Sequence, residues 1–387
     1  MRLWGYGSSM TATGDLPSDE GLIQVLDREG NVHEEATVPD LDNETLVTIY
    51  EQMCFARHLD ERAISLHRQG RIGTYPPLAG QEAAQVASTH ALADEDWISY
   101  QYREHGAVIS RGVSKEFLLY WMGHEEGNGW LSDQYIFPMN ISIGSQIPHA
   151  TGLAWAAKLK GDDGAVVCHF GDGATSEGDF HEGMNFAGVF DVPAIFFCNN
   201  NQYAISIGRD AQTASRTIAQ KGPAYGIPSK RVDGMDPLAV YAVTQEAVQR
   251  AKADDPAPPN PEIGRAARPT FIEAVMYRLG AHTTVDDPDV YRDEAEVERW
   301  RAYDPIDRYE RFLRDRGLVD DEQIAAMETE IEDEVAELID RAEEVEADPE
   351  SMFERPDENT PSRVKRQQEE LRQLRERHGD DALLRDE

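Results

Sequence analysis

The residues best suited to chemistry are Asp172, flanked by Gly171 and Gly173, and the pair Asn200 and Asn201, which follows after 26 further residues. An apolar run precedes each group, so each group stands where a buried strand would end. Ligands of open α/β sheets bind at the carboxyl ends of strands, and the glycines permit a tight turn that a ligand can approach closely. A carboxylate, an amide oxygen and a backbone carbonyl two residues further on are oxygen ligands that suit Mg²⁺. The pattern predicts a magnesium site that anchors a diphosphate.

The surrounding sequence predicts the elements that would position these residues. Short β-branched or aromatic runs alternate with helical patterns, which indicates an α/β fold: a mainly parallel sheet with helices on both faces. The predicted elements are strands over 165–170, 194–198 and 270–275 and helices over 42–70, 180–190 and 238–253. Asp42 or Asn43 would cap the first helix, and Asp236 followed by Pro237 is a typical start for the last.

Three parts are expected along the chain. Residues 1–40 read as an extended arm that lies on a partner or on the body, and 41–345 form the body. Within it, 253–269 is a surface insertion rich in Ala, Pro and acids, without periodicity. Residues 346–387 form a charged C-terminal helix or tail.

The composition excludes some classes of function. The chain has 387 residues, 40% of them hydrophobic, and carries 73 acidic against 37 basic residues, for a net charge of −36. Such a charge repels nucleic acid and anionic membranes, so neither is an expected partner. Only seven of the basic residues are lysines, and the acids are spread along the whole chain. This acid-rich, lysine-poor composition suggests a halophilic protein, adapted to concentrated salt.

The cysteines and the apolar runs predict a cytoplasmic protein. Of the three cysteines, Cys168 and Cys198 fall inside predicted buried strands, so reduced thiols are expected. No run of eighteen apolar residues could span a membrane, and acids stand in the first twenty residues where a signal peptide would need a basic start.

Two other functions compete with a diphosphate-binding enzyme. A nicotinamide-dependent Rossmann oxidoreductase is suggested by Gly171, Gly173 and Gly178, but their spacing is G-x-G-x4-G and asparagines, not an acidic residue, end the next strand. The other alternative is a non-catalytic scaffold, which would tolerate the loss of Asp172, Asn201 or His282. All three are present.

Beyond this motif, long stretches resemble one enzyme family. GDGATSEGDFHEGMNFAGVFDVPAIFFCNNNQYAIS, RAISLHRQGRIGTYPPLAGQEA, QYREHG, VDGMDPLAVY and YRLGAHTTVDDPDVYR are similar to the alpha subunits of thiamine-diphosphate-dependent 2-oxo acid dehydrogenases. The likeness runs from about residue 20 to 345 and is nearest the bacterial pyruvate type. It implies a thiamine-diphosphate-binding fold with an N-terminal arm and a C-terminal helical extension, in which 41–345 is the diphosphate-binding domain.

The resemblance also implies the role of each site residue. Mg²⁺ would be held by the side chains of Asp172 and Asn201 and by the backbone carbonyl of Tyr203. His282, at the mouth of the site, would hydrogen-bond the diphosphate or an intermediate and position the lipoyl thiol or supply a proton in the second half-reaction. The cofactor-binding set implied by the resemblance is Gln101, Tyr102, Arg103, Ile143, Gly144, Gly171, Asp172, Gly173, Asn201, Arg278 and His282.

Within that set, Arg103 would face the diphosphate and Ile143 would support the bent cofactor. His105 also matches some relatives. Two departures stand out. Asn199 occupies a position where some relatives carry a phosphate-binding arginine, and Thr283-Thr284-Val285-Asp286 lacks the serines that animal enzymes phosphorylate, so kinase control is not expected.

The family pattern also implies partners. The matched residues belong to one of the two lobes that such a site needs, so the glutamate that protonates the cofactor's pyrimidine would come from a beta subunit. The implied assembly is a heterotetramer of two alpha and two beta chains. It would decarboxylate a 2-oxo acid, with pyruvate favoured over branched-chain substrates and acetoin dehydrogenase as a third possibility. It would then acylate a lipoyl group on the lipoyl domain of an acyltransferase.

Overall fold

A computed structural model of the chain describes residues 21–112, 115–253, 267–346, 349–353 and 359–380. Two compact units divide it, Met1–Ala342 and Glu343–Glu387. The first half of the predicted arm and most of the predicted insertion over 253–269 lie outside the described residues.

Helices and short strands alternate through the first unit. The α-helices are α1 (Asn43–Arg68), α2 (Glu82–His90), α3 (His105–Ile109), α4 (Lys115–Trp121), α5 (Gln146–Lys160), α6 (Gly178–Phe190), α7 (Arg209–Gln212), α8 (Pro237–Ala251), α9 (Glu294–Arg301), α10 (Pro305–Asp315), α11 (Asp321–Glu343) and α12 (Ser362–His378). The strands are β1 (Trp97–Ser99), β2 (Val166–Gly171), β3 (Ala194–Asn200), β4 (Tyr203–Ala204), β5 (Ile207–Gly208), β6 (Ser229–Asp233) and β7 (Thr270–Val275).

Five of these strands form one parallel sheet in the order β1-β2-β3-β7-β6. Helices cover both of its faces, as the α/β prediction requires. One core joins α1, α2, α8 and α10 to the sheet, and the other joins α5 and α6 to its opposite face. Because both faces are covered, β3 and β7 are buried along their whole length, which explains why most of their residues are apolar. The predicted fold class is confirmed.

Capping residues set where two of the predicted helices begin. Asp42 precedes α1, and its carboxylate accepts a hydrogen bond from the Thr45 N–H at 2.7 Å. Asp236 does the same for α8 with the N–H groups of Leu238 and Ala239. Both carboxylates satisfy backbone donors that the first helical turn leaves without partners, so the caps predicted from sequence are confirmed.

The described part of the arm packs on the body. Ile23 forms a parallel bridge with Val232 at the edge of the sheet. The backbone N–H groups of Val25 and Leu26 donate to the Asp236 carboxylate at 2.6 and 2.7 Å, the same carboxylate that caps α8. This segment therefore extends the sheet edge and the α8 cap together.

A buried arginine closes this junction from the side of α10. The Arg308 guanidinium is fully buried and lies 2.8 Å from the Asp233 carboxylate. It also donates to the carbonyls of Leu26 and Asp27 and lies 3.8 Å from Asp236. One side chain thus connects the arm, β6, the α8 cap and α10.

The second unit contains α12 and the short segment before it. Glu350 accepts hydrogen bonds from Gln368 and Arg372, which fixes that segment against the helix. The predicted charged helix at the end of the chain is therefore present over Ser362–His378. The three cysteines are free, as predicted. None of the described helices is long and apolar enough to cross a membrane.

Replacing Arg308 should destabilise the protein strongly. Arg308→Ala leaves two buried carboxylates without their cation, so we expect the free energy of unfolding in urea to fall by about 3–5 kcal/mol. Arg301→Ala is the control, because Arg301 makes an exposed pair with Glu298 at 3.3 Å and should cost less than about 1 kcal/mol. Equal losses for the two variants would show that the buried junction does not stabilise the fold.

Candidate active site

A cleft of about 570 Å³ opens at the carboxyl edge of β2, β3 and β7, where the sequence predicted a ligand site. It brings together nearly all of the predicted residues, from segments far apart in sequence. Lining it are Gln101, Tyr102, Arg103, Ile143, Gly171, Asp172, Gly173, Asn201, Tyr203, Arg278 and His282. Gly144 is the exception: it is not part of the lining, although its neighbour Ile143 is, and it has a φ of +83°.

The turn after β2 presents the carboxylate of Asp172. A 3-10 turn over Asp172–Ser176 starts directly at the end of the strand, and Asp172 is buried. Its Oδ2 accepts a hydrogen bond from Gln212 at 2.7 Å. Burial raises the pKa of Asp172, against the opposing effects of the Gln212 hydrogen bond and of Arg278 and Arg103. A cation at this carboxylate would therefore relieve an unfavourable burial.

The close approach predicted at the glycines is partly made by the chain itself. A Cβ on Gly173 would lie 2.9 Å from the Ala204 side chain, so this position needs glycine for packing against the β4–β5 ribbon. Gly171 has an ordinary extended conformation, and a Cβ there would meet nothing within 4 Å. The side chain that Gly171 lacks would point into the open cleft that it lines.

The two asparagines after β3 separate in role. Asn201 lines the cleft, with its Oδ1 accepting from the Tyr203 N–H at 3.3 Å and its Nδ2 donating to Gln81 at 3.2 Å. Asn200 points away and donates to the buried Glu273 at 2.8 Å. The oxygens at this strand end are therefore those of Asn201 and of the Tyr203 backbone.

Two guanidinium groups face the same cleft. Arg103 donates to the carbonyls of Pro77 and His282 at 2.6 and 2.9 Å. Arg278 donates to those of Tyr203 and Ile205 at 3.3 and 2.7 Å. Within the described ranges, no carboxylate lies within 4.0 Å, the limit for an ion pair, of either guanidinium group. In a chain of net charge −36, two such arginines side by side define an anion-binding site.

His282 lies between these two arginines. Its Nδ1 is 3.0 Å from a nitrogen of Arg103 and 3.3 Å from a nitrogen of Arg278. Since both guanidinium groups can only donate, Nδ1 accepts and the proton of the neutral ring is on Nε2. Burial, followed by the charges of Arg103 and Arg278, lowers the pKa of His282 to about 3. At neutral pH the ring is an uncharged donor through Nε2.

His105, the other histidine suggested by the resemblance, is outside the lining of the cleft. Its ring is buried, stacks on Tyr75 at a centroid distance of 4.9 Å, and lies against Trp121. One ring nitrogen contacts the Pro76 carbonyl at 3.2 Å, and burial lowers the pKa of His105 to about 3. This histidine packs beneath the wall of the cleft.

Several contributing residues were missed from the sequence. Gln212 and Gln81 bond the predicted ligands Asp172 and Asn201. Gln212 comes from a segment without a motif, whereas Gln81 lies in the matched stretch that ends in GQEA. Glu104 accepts from the Gln101 N–H and from Asn199, the residue that stands where some relatives carry arginine. Its place inside the matched QYREHG stretch was the one available signal.

The oxygens at the strand ends come from different chemical groups. Among the residues that the structure describes, no three His, Cys, Asp or Glu side chains gather as a metal site. The strand ends offer instead the carboxylate of Asp172, the amide oxygen of Asn201 and the backbone carbonyl of Tyr203. A parallel sheet with such oxygens and an anion-binding arginine pair at its carboxyl edge defines an α/β enzyme of the phosphate-binding class.

Comparisons with known proteins identify the family. The model of the dehydrogenase E1 component family matches residues 50–350. The pyruvate dehydrogenase E1 component subunit alpha of Staphylococcus aureus is 43% identical over 319 residues, 82% of this chain and 83% of the relative. The 3-methyl-2-oxobutanoate dehydrogenase subunit alpha of Mycobacterium tuberculosis is 44% identical over 304 residues, 78% and 80% of the two chains.

The chain belongs to the dehydrogenase E1 component family. Its members are oxidoreductase components of 2-oxo acid dehydrogenases and depend on thiamine diphosphate. The family predicted from the sequence stretches is thereby confirmed, and the alternatives of a Rossmann oxidoreductase and of a scaffold are not supported.

His282 should remain uncharged in acid until the pH is far below its usual range. Because its folded pKa is lowered to about 3, the ring should show no protonation between pH 8 and 5 in ¹³C-histidine NMR, with the signal assigned by its loss in His282→Asn. As the pH falls, His282 is protonated in the unfolded chain before it is protonated in the folded one. Its contribution to the free energy of unfolding therefore decreases as the pH falls from about 6.5 towards 3. If His282 titrates near pH 6.5 instead, burial and the two arginines do not keep its ring neutral.

Proposed function

We propose that this chain is the alpha subunit of a pyruvate dehydrogenase of the acetyl-transferring, lipoamide type. The observation that carries the proposal is the pair of arginines without carboxylate partners, set beside the hard oxygens of Asp172, Asn201 and Tyr203 in one cleft. An arginine pair suits a diphosphate, and oxygens of this kind suit the Mg²⁺ that bridges it to the protein. Thiamine diphosphate with Mg²⁺ meets both requirements.

The proposed cofactor contacts follow from where each side chain lies. Asp172 and Asn201 would hold Mg²⁺ by their side chains and Tyr203 by its carbonyl, while Arg103 and Arg278 would neutralise the diphosphate. Gln101, Tyr102, Gly171 and Gly173 would line its bed, and Ile143, placed by Gly144, would press on the rings. When bound, thiamine diphosphate supplies the electron sink that decarboxylation of a 2-oxo acid requires.

His282 would act as an uncharged hydrogen-bond donor at the mouth of the cleft. Its Nε2–H is free to face a ligand because both arginines bond the opposite ring nitrogen. An anion bound between the guanidinium groups would offset their repulsion and raise the pKa of His282 towards the range of a proton donor. With its pKa raised in this way, the ring of His282 would be able to supply a proton during acyl transfer to lipoyl.

The cleft also supports the proposal of a beta subunit. Its carboxylates include Glu104, which is buried and hydrogen-bonded through both oxygens, and Asp172, which faces the proposed metal. Both of these carboxylates are committed to other contacts, and Glu177, the third acid that lines the cleft, is exposed to solvent. Ile141, Ile143 and Ile205 line the same cleft with 38–57% of their surface exposed, the kind of apolar rim that a second chain covers.

The proposed assembly is a heterotetramer of two alpha and two beta chains that serves the lipoyl domain of an acyltransferase. Branched-chain 2-oxo acids are the second candidate substrates, because the 44% identical relative is named for 3-methyl-2-oxobutanoate. The acid-rich composition supports the further proposal that the enzyme is halophilic and works in the cytoplasm at high salt.

Removing the proposed metal ligands should abolish cofactor binding. In the assembled enzyme, Asp172→Asn or Asn201→Ala should weaken Mg²⁺-dependent binding of thiamine diphosphate by more than about 100-fold, beyond the effect of outer-shell changes. Calorimetric titration measures this, with Asp162→Asn on the exposed loop before β2 as the matched control. Unchanged affinity in either ligand variant would mean that the metal site is assigned to the wrong residues.

The chain should be inactive without its partner. Purified alone, it should show no decarboxylation of pyruvate or of 3-methyl-2-oxobutanoate, because the proposed assembly takes the acid for the pyrimidine from the beta chain. Co-expression with its beta chain should restore turnover, and the ratio of kcat/KM for the two acids identifies the substrate. The Asp172→Asn variant should assemble with the beta chain and stay inactive. Turnover by the isolated chain would disprove the divided site.

A further inference from the structure

Lys221 lies directly beneath the turn that carries Asp172. Its Nζ donates to the backbone carbonyl of Thr175 at 2.9 Å and to the Thr175 hydroxyl at 2.8 Å. That hydroxyl in turn donates to the carbonyl of Asp172 at 2.8 Å. A chain of three hydrogen bonds therefore runs from the lysine to the first and fourth residues of the Asp172–Ser176 turn.

The backbone segment that carries Lys221 is itself bonded to the sheet. The N–H of Ala219, two residues earlier, donates to the buried Glu273 carboxylate at 2.8 Å. The other oxygen of Glu273 accepts from Asn200 at the end of β3. Next to the lysine, a Cβ on Gly222 would lie 2.1 Å from the Ser229 hydroxyl, so the segment is packed closely against β6.

The lysine is half-buried and bonds only uncharged oxygens. No carboxylate within the described part of the chain lies within ion-pair distance of its ammonium group. Burial lowers the pKa of Lys221. Holding a cation in this place is unfavourable unless its contacts compensate, and these are the two hydrogen bonds to Thr175 and a position over the Phe180 ring, 5.6 Å from its centroid.

We propose that Lys221 is a positioning residue for Asp172. It fixes the turn in the conformation in which Asp172 lines the cleft. The inference rests on the proposed function for the role of Asp172 as a metal ligand. The hydrogen bonds through Thr175, not the charge alone, would carry the effect.

A second lysine provides a matched control. Lys158 donates to the carbonyls of Phe190 and Asp191 at 2.7 and 2.9 Å, and so joins α5 to the end of α6. Like Lys221 it donates to two oxygens, but neither belongs to the Asp172–Ser176 turn, and it also lies 4.0 Å from the Asp191 carboxylate. Lys158→Met therefore measures how much the loss of a half-buried lysine with two hydrogen bonds affects the protein when the cleft is not involved.

The test compares Lys221→Met, Lys221→Arg and Lys158→Met in the assembled enzyme. We expect Lys221→Met to raise the dissociation constant for Mg²⁺, measured by calorimetry with saturating thiamine diphosphate, by about 10–100-fold, the scale for a residue behind a metal ligand. Lys221→Arg should recover most of the affinity, and Lys158→Met should match the parent. At saturating Mg²⁺ the metal site is fully occupied even in a variant with weaker affinity. Lys221→Met should therefore leave kcat nearly unchanged under that condition.

Hydrogen exchange in the cofactor-free enzyme gives an independent reading. Amides of residues 173–177 should exchange faster in Lys221→Met and at the parent rate in Lys158→Met. If Lys221→Met does not fold, Thr175→Val, which removes the hydroxyl that links Lys221 to the Asp172 carbonyl, permits the same comparison. If Lys221→Met keeps the parental affinity for Mg²⁺ and the parental rates of amide exchange, the positioning role is wrong while the proposed function stands. A parent enzyme without Mg²⁺-dependent cofactor binding would overturn both.

Discussion

The site depends on holding two arginines close together without carboxylate partners. Arg103 and Arg278 both bond the Nδ1 atom of His282, at 3.0 and 3.3 Å, so their charges repel each other across one ring. The carbonyl groups that they bond compensate part of this cost, because aligned backbone dipoles stabilise a buried cation without neutralising it. A carboxylate would have been a stronger partner, but it would have cancelled the positive potential that an anionic ligand needs.

Supplying those carbonyls constrains the backbone around the cleft. Ile205, whose carbonyl bonds Arg278, adopts a φ of +56°, and Gln202 adopts a φ of +75°. A positive φ is unfavourable for any residue with a side chain and most of all for a β-branched one. The strained loop between β3 and β5 is thus the part of the structure that turns its carbonyl oxygens inward. The stable parallel sheet and the buried Arg308 junction offset this local cost.

The sequence predicted what is periodic or forms a motif. Runs of apolar residues placed β2, β3 and β7 to within two residues, and Asp42 and Asp236 marked helix starts, because burial and capping leave local signatures. Contacts between distant loops leave none. Gln212 reaches Asp172 across 40 residues, and Lys221 reaches Thr175 across 46, so their partners follow only from the three-dimensional fold. The neutral state of His282 depends in the same way on an arginine 179 residues away.

The acid-rich surface and the anion-binding cleft impose opposite demands, which act at different distances. A net charge of −36 repels a diphosphate or a 2-oxo acid over long range, and the arginine pair attracts it at contact. In about 1 M salt the Debye length shrinks to about 3 Å, which removes the long-range repulsion but spares bonds of contact length in a partly buried cleft. Concentrated salt would therefore favour ligand binding by this protein, whereas dilution would restore the repulsion. The same screening would reduce the repulsion between two copies of this chain, so formation of the proposed heterotetramer and entry of its ligands would improve together as salt rises.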